Sequence, residues 1–448
     1  MQKKLLSGLF WVLLANLLVK PLWILGIEVG VQNAVGNEVY GFYFSILSIS
    51  LIFNILLDLG ITNFNTRNIA RHPQLIGKHL EGILGIKCLL VGLYMMVTFS
   101  VGLMMGYGSE EFHLLVLLTI CQALNSLILY LRSNFEGLLL FKWDSLFSVL
   151  DRVLMIIICG CMLWGPRFSV CGINFTIYHF VYAQLAAYTI TATLAFVVIA
   201  RKARFRRLRW DLPFFLVILR RSAPFALLVL LMASYNRIDP VLLRSMASDA
   251  DAGIYAGAFR LLDALTMVAY LVSVPLLPVF SRLCAPNDGT SGNAARSPLE
   301  EAIRLVFWPM MFFAIGAAVV GAVWASPLME LLYPGRGAQY APVFRVIVFG
   351  IIPIGLTYIF GTLLTAGGHL RQLNIFAATS LVINIVVNIA LIPHLGAVGS
   401  AFASLTAQSF MAVTQLILSI KLHHLSASTF RLPRLADLRR TIDIVRAE

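Results

Sequence analysis

Apolar runs of roughly 20 residues recur from one end of this chain to the other. Each is long enough to cross about 30 Å of hydrocarbon as a helix rising about 1.5 Å per residue. In hydrocarbon every backbone N–H and C=O must be satisfied from within, so such a run is a helix unless it closes into a barrel. The runs are continuous rather than alternating with period two, which argues against a barrel. Composition agrees. Of 448 residues, 59% are apolar and 12% charged, where soluble domains run nearer roughly 45–50% and about 25%. The chain is expected to be an all-α polytopic membrane protein, and a water-soluble enzyme is excluded.

About twelve transmembrane helices are predicted, near 6–32, 40–64, 82–106, 113–134, 145–164, 173–200, 222–245, 254–281, 302–325, 341–366, 372–393 and 397–421. The net charge of +13 falls mainly between alternate spans, as the positive-inside rule expects of cytoplasmic loops. Those segments carry Lys3 and Lys4; Arg67, Arg71 and Lys78; Arg132 and Lys142; the dense run Arg201–Arg209; and Arg282, Arg296, Arg304 and Arg371. The opposite loops hold only Arg167, Arg244, Arg336 and Arg345. This asymmetry predicts an even span count with both termini cytoplasmic. No nucleic-acid module accompanies the basic run, so nucleic acid is not an expected partner.

Residues 201–221 read as a cytoplasmic basic linker lying on anionic headgroups. They part an N-terminal six-helix lobe, 1–200, from a C-terminal six-helix lobe, 222–421, with a basic tail at 422–448. The halves look related. Gly41-Phe-Tyr-Phe-Ser45 opens the second span of one half and Gly253-Ile-Tyr-Ala-Gly257 the second span of the other. Transporters are often built from such repeats with the binding site between them, so two pseudo-symmetric lobes around a central cavity are expected.

The chain carries no Walker A loop, no G-x-S-x-G, no H-E-x-x-H and no C-x-x-C. Neither catalysis, a metal nor a cofactor is therefore predicted. Charges at bilayer depth are the informative set, since each costs at least about 2.5–3.5 kcal/mol on the lenient scale. The cations are Lys20, just before Pro21 in the first span, with Arg152, Arg237 and Arg260; Arg67 ends the second span. Several cations facing one cavity would suit a phosphate-bearing ligand, Arg as a bidentate fork and Lys as a point charge. Among the acids, Asp239 precedes Pro240, where it is expected to cap or order a break, or to couple transport to an ion. Asp58, beside Gly60, is expected to tie a helix end. Arg260 and Asp263 share a helix face, so an internal ion pair and a ligand site both stay open. Glu28 and Lys87 lie near span ends and are expected to snorkel. Asp151 and Arg152 are adjacent and are not expected to pair simply on one helix.

Three stretches together resemble a known group. They are Asp58-Leu-Gly60 with Thr66-Arg67-Asn68-Ile69-Ala70; Asp239 ahead of Gly253-Ile-Tyr255, Phe259-Arg260-Leu261 and Pro278-Val-Phe-Ser-Arg282; and Asn384-Ile-Val-Val-Asn388 running to Pro393, Gly396 and Gly399. Their order and spacing resemble the multidrug/oligosaccharidyl-lipid/polysaccharide exporter superfamily, in its polysaccharide-biosynthesis, O-antigen flippase-like branch. The resemblance implies two six-helix lobes that open alternately to either side. The implied cargo is a polyprenyl-diphosphate-linked oligosaccharide crossing a bacterial inner membrane. By similarity to lipid II flippases, Lys20, Arg67 and Arg260 would hold the diphosphate. Membrane lipids, a polysaccharide polymerase and chain-length proteins are the implied partners. A proton or sodium gradient would drive transport, with Asp239 or Asp263 as the coupling acid. The lone Lys in span one and the absence of two extra C-terminal spans favour an O-unit or exopolysaccharide cargo over lipid II. The rivals are a multidrug/cation antiporter, for which mid-span cations are the wrong polarity, and a membrane-embedded glycosyltransferase, for which the loops are too short.

Overall fold

The computed structural model describes residue 19 and residues 21–164, 175–203, 212–273, 276–284 and 296–432. Among them nine helices are long and apolar enough to cross a membrane, or ten when one bent pair counts as a single span. The first helix, α1 (Leu22–Val35), is shorter. It is followed by α2 (Asn37–Leu57), the polar helix α3 (Ile61–Arg71), α4 (His79–Met104), α5 (Ser109–Gly137), α6 (Lys142–Trp164) and α7 (Ile177–Ala203). Next come α8 (Leu212–Arg237) and α9 (Asp239–Met246), bent by 43° at Ile238, then α10 (Asp249–Ser273) and α11 (Leu276–Leu283). The chain closes with α12 (Arg296–Val323), α13 (Ala325–Leu332), α14 (Gly337–Ala366) and α15 (Leu370–His423). With α8 and α9 as one span and α15 as two, the helices fit the twelve expected positions. The chain is an all-α polytopic membrane protein.

The breaks have local causes. In α15 the backbone leaves helical geometry at Gly396 (φ 53°, ψ −130°), three residues after Pro393. That conformation suits a residue without Cβ. Gly399 then packs on the preceding arm, where a Cβ would stand 2.6 Å from the Leu391 carbonyl oxygen. The expected division at 393–397 is thus a turn built by two glycines. Between α2 and α3, Leu59 (φ 46°) and Gly60 (φ 81°) stand in the left-handed region and end the apolar helix. The bend between α8 and α9 falls at Ile238, with Pro240 in the first turn of α9, where its missing N–H costs no hydrogen bond.

The chain forms two compact units, Met1–Gly253 and Ile254–Glu448, which divide within α10. In the first, α5 is central and packs against α2, α3, α4, α6 and α7. Its core includes Ile61, Ile69, Leu80, Ile83, Leu131, Phe135 and Ile199. In the second, α14 packs against both α12 and α15. One buried face of α15 is polar, with Ser400, Ser404, Gln408, Gln415 and Ser419. Gly350 and Gly361 of α14 make room for it; a Cβ on them would lie 2.7 Å from Gln408 Oε1 and 3.1 Å from Gln415 Oε1. Small residues facing polar ones are a common way for membrane helices to approach closely. Of the basic segment 201–221, Arg201 and Lys202 close α7, residues 204–211 lie outside the described residues, and α8 opens at Leu212. The tail is described as far as Leu432, and residues 433–448 lie outside.

Candidate functional site

The first unit carries a charged cluster that begins in a departure from α-helical register. Residues Leu22–Glu28 of α1 are π-helical, a form concentrated at functional sites. Its i→i+5 spacing brings Trp23 and Glu28 together, and Trp23 Nε1 donates to Glu28 Oε1 at 3.1 Å. The Arg152 guanidinium of α6 stands over the Trp23 ring at 5.3 Å and near the Tyr188 ring of α7 at 5.9 Å. Arg152 Nε also lies 3.5 Å from Asp151 Oδ2, so the two neighbours do pair, contrary to expectation. The reach of the long Arg side chain overrides the divergence of their Cβ directions. Glu28 adds a second acid within electrostatic reach of Arg152. Gln184, one turn before Tyr188, donates to the Tyr188 hydroxyl at 3.1 Å. This guanidinium is framed by aromatic faces and by more than one acid. Lys20, two residues before the π segment, lies outside the described residues.

A second cluster sits where α2 gives way to α3. Asp58 caps α3: its Oδ1 accepts from the Thr62 N–H at 3.3 Å and from the Thr62 hydroxyl. Lys87 does not snorkel. It is buried, and its Nζ reaches Asp58 Oδ1 at 2.8 Å, the Leu57 carbonyl at 2.8 Å and Ser126 Oγ at 2.9 Å. One ammonium thus satisfies the last carbonyl of α2 and neutralises the cap of α3. Beyond the break α3 packs on α5 through polar groups, Asn65 Nδ2 donating to Ser133 Oγ (2.7 Å) and Asn134 Oδ1 (3.1 Å). Arg67 stands on this helix between the fully buried Asn65 and Ile69; its side chain lies outside the described residues.

A third cluster ties several helix ends of the first unit. Arg244, at the end of α9, pairs with Glu111 of α5 at 3.0 Å and Asp249 of α10 at 2.9 Å. Its guanidinium also covers Phe42 of α2 at 4.7 Å and Tyr107 at 5.6 Å. Tyr107, between α4 and α5, is pushed up to about 12 by burial, against the pull of Arg244, and stays a neutral phenol. Beside this cluster α2 and the start of α10 cross at two glycines. A Cβ on Gly41 would strike the Asp249 carbonyl and stand 2.5 Å from Gly253 N; one on Gly253 would strike the Asn37 carbonyl. Gln32 Nε2 donates to the Gly253 carbonyl at 2.8 Å. The two glycines picked out as a repeat therefore meet.

In the second unit Arg260 is buried, at 4% exposure, three turns into a helix that starts at Asp249. Its Nη1 donates to the Tyr333 hydroxyl at 3.3 Å, and that hydroxyl donates to the Gly257 carbonyl at 3.4 Å. Asp263, one turn on and half-buried, is in electrostatic reach of Tyr358 on α14, which meets Tyr270 edge to face. Asn384 and Asn388 are fully buried, Asn388 Nδ2 donating to the Asn384 carbonyl and Oδ1, each at 2.9 Å. Arg237 and Asp239 flank the α8–α9 bend. Each is placed well for its helix dipole, the cation in a last turn and the buried acid in a first turn. No group of His, Cys, Asp and Glu suited to a metal ion occurs among the described residues.

Residues 5–284 match the model of the polysaccharide biosynthesis protein family, more than half of the chain. The chain belongs to that family. Residues 216–435 also match the model of the lipid II flippase MurJ. No curated protein matches the sequence significantly. Among solved structures it is similar to an inward-facing multidrug-resistance MATE transporter of the MOP superfamily (TM-score 0.65, 15% identity, covering 92% of this chain and 94% of the other). A lipid II flippase MurJ in an inward closed conformation gives a TM-score of 0.62 at 14% identity over 94% and 88%. A Vibrio cholerae MATE transporter gives 0.59 at 16% identity over 96% and 98%. At such identities the neighbours establish the fold, and the family model adds the class: a polysaccharide biosynthesis protein that spans the membrane many times.

Proposed function

We propose that this protein flips polyprenyl-diphosphate-linked oligosaccharide repeat units, O-antigen or exopolysaccharide, across the bacterial inner membrane by alternating access. The observation that carries the reading is the match of residues 5–284 to the polysaccharide biosynthesis family. The overlapping lipid II flippase match supports a lipid-linked sugar as the class of cargo. Sugar and diphosphate would travel through protein while the polyprenyl tail stays in lipid. Lys20, Arg67, Arg237 and Arg260 are the cations assigned to the diphosphate; guanidinium forks fit phosphate bidentately. Arg152 is assigned to the sugar end of the path, because Asp151 and Glu28 already oppose its charge. Asp58 is assigned a structural role from its pairing with Lys87, and Asp239 and Asp263 remain the acids for coupling to a proton or sodium gradient. Both termini are assigned to the cytoplasm, with a polysaccharide polymerase and chain-length proteins as downstream partners.

The test is a deletion strain carrying a leaflet-specific assay for lipid-linked repeat units. Accumulation on the inner leaflet, relieved by the intact gene and only in part by an Arg260→Gln copy, is expected. Normal surface polysaccharide in the deletion strain, with loss of resistance to organic cations instead, would replace this reading with a drug antiporter.

A further inference from the structure

The surroundings of Arg260 have a directionality that its helix alone does not supply. A phenol has one proton and two lone pairs. The Tyr333 hydroxyl spends its proton on the Gly257 carbonyl (3.4 Å), which leaves only lone pairs for Arg260 Nη1 (3.3 Å). Gly257 lies one turn before Arg260 on the same face of α10. Tyr333 itself is fixed twice. It is the residue at which α13 ends, with φ −127° and ψ 73° and its N–H bonded to the Met329 carbonyl. Its ring stacks on Tyr340 of α14 with centroids 4.0 Å apart and planes 7° from parallel. Both rings are almost fully buried. They lie against α10 only because residue 257 has no side chain: a Cβ there would strike the Tyr340 ring and stand 2.9 Å from the Tyr333 hydroxyl.

We propose that Tyr333 is a positioning residue for Arg260, and that Tyr340 and Gly257 complete the bracket in which it does so. One arm of the guanidinium is pinned to the α13–α14 junction, so the plane of the fork is set before any anion arrives. An Arg side chain has many rotamers to lose on binding, and preorganising it lowers that cost. The role given to Arg260 rests on the flippase reading above. The pinning of its guanidinium does not.

Two measurements separate these layers. The first is peptide-resolved modification of Arg260 by phenylglyoxal in the detergent-solubilised full chain. Wild type should react slowly, and Tyr333→Phe, which keeps the stack and loses the hydroxyl, should react several-fold faster with a melting temperature close to wild type. Equal rates in the two proteins would overturn the bracket, whatever the cargo is. The second is uptake by proteoliposomes over a series of lipid-linked oligosaccharide densities. Tyr333→Phe should raise the apparent KM about fivefold and leave the maximal rate near wild type. In an Arg260→Gln background the same change should add nothing, since a residue acting through another loses its effect when that other is gone. Independent, multiplying losses would assign Tyr333 to the scaffold and sink the proposal. Faster phenylglyoxal modification combined with no flipping by wild type would leave the bracket standing and remove the flippase reading.

Discussion

Lys87 keeps a charge inside a membrane helix by giving each of its protons an acceptor. Three donors meet three oxygens, the Leu57 carbonyl, Asp58 Oδ1 and Ser126 Oγ. Its side chain is 5% exposed, against 30% for Asp58, so removing the ammonium takes the counter-ion from the Asp58 carboxylate and leaves the Leu57 carbonyl with Ser126 Oγ, at 3.2 Å, as its donor. Breaking a buried pair from one side costs up to about 3–5 kcal/mol, and removing both charges costs less. Asp58 is partly exposed, so the lower end applies. Lys87→Met should therefore lower the melting temperature in detergent markedly, and Lys87→Met with Asp58→Asn should recover part of the loss. A single variant as stable as wild type would show that the break between α2 and α3 is held by packing alone. At this scale the sequence was only partly legible. Asp58 beside Gly60 signalled a helix end, but its partner lies 29 residues away, and Lys87 read by itself looked like a snorkelling side chain. Trp23 and Glu28 were hidden for a different reason. Helical periodicity assumes 3.6 residues per turn, and their contact exists only in π register.

Elements meet in this protein through glycine as much as through apolar side chains. Gly41 and Gly253 let α2 and α10 cross with backbone against backbone, whereas a Cβ on Gly82 or Gly92 of α4 would have nothing within 4 Å. The same substitution should thus have opposite outcomes. Gly253→Ala must push the helices apart and strain the Gln32 hydrogen bond, costing about 1–3 kcal/mol as overpacking does. Gly92→Ala adds helix propensity and should cost nothing. Thermal melts of the two variants decide it; equal stability would mean that the crossing relaxes freely. Beside the crossing, Arg244 serves Glu111 and Asp249 at once. These side chains are partly exposed, so each pair contributes no more than about 1 kcal/mol and is screened by salt. Arg244→Gln should match the Glu111→Gln, Asp249→Asn double variant in melting temperature, and the difference from wild type should shrink in 1 M salt. A deficit that persists there would point to lost packing on Phe42 and Tyr107 instead. The short repeat at Gly41 and Gly253 was visible in the sequence; that the two would touch was not.

For the whole molecule, span number decides topology, and the apolar runs made most spans legible because hydrocarbon leaves the backbone no other option. The Gly396 turn was readable from Pro393 and Gly396, while the roles of Tyr333 and Tyr340 were not, since nothing local links them to a helix more than seventy residues earlier. The parity of the count rests on α1. Residues Leu22–Val35 alone would rise about 21 Å, short of the roughly 30 Å of hydrocarbon, so the first crossing needs the apolar residues that precede Leu22 in sequence. With that crossing there are twelve, and both termini share a side. Without it there are eleven, and the basic N-terminus and basic tail part company. Reporter fusions test the difference. A reporter active only in the cytoplasm should work when inserted within 286–295 or fused after residue 432, and fail at Gly335 or Gly106. The decisive pair is the N-terminus against the tail. If a tag before residue 5 and one after residue 432 are protected together in sealed, right-side-out spheroplasts and digested together after permeabilisation, the count is even. If protease reaches only the N-terminal tag in intact spheroplasts, the first crossing does not exist. Lys20 would then be no membrane cation, and the diphosphate would have to be held by the arginines alone.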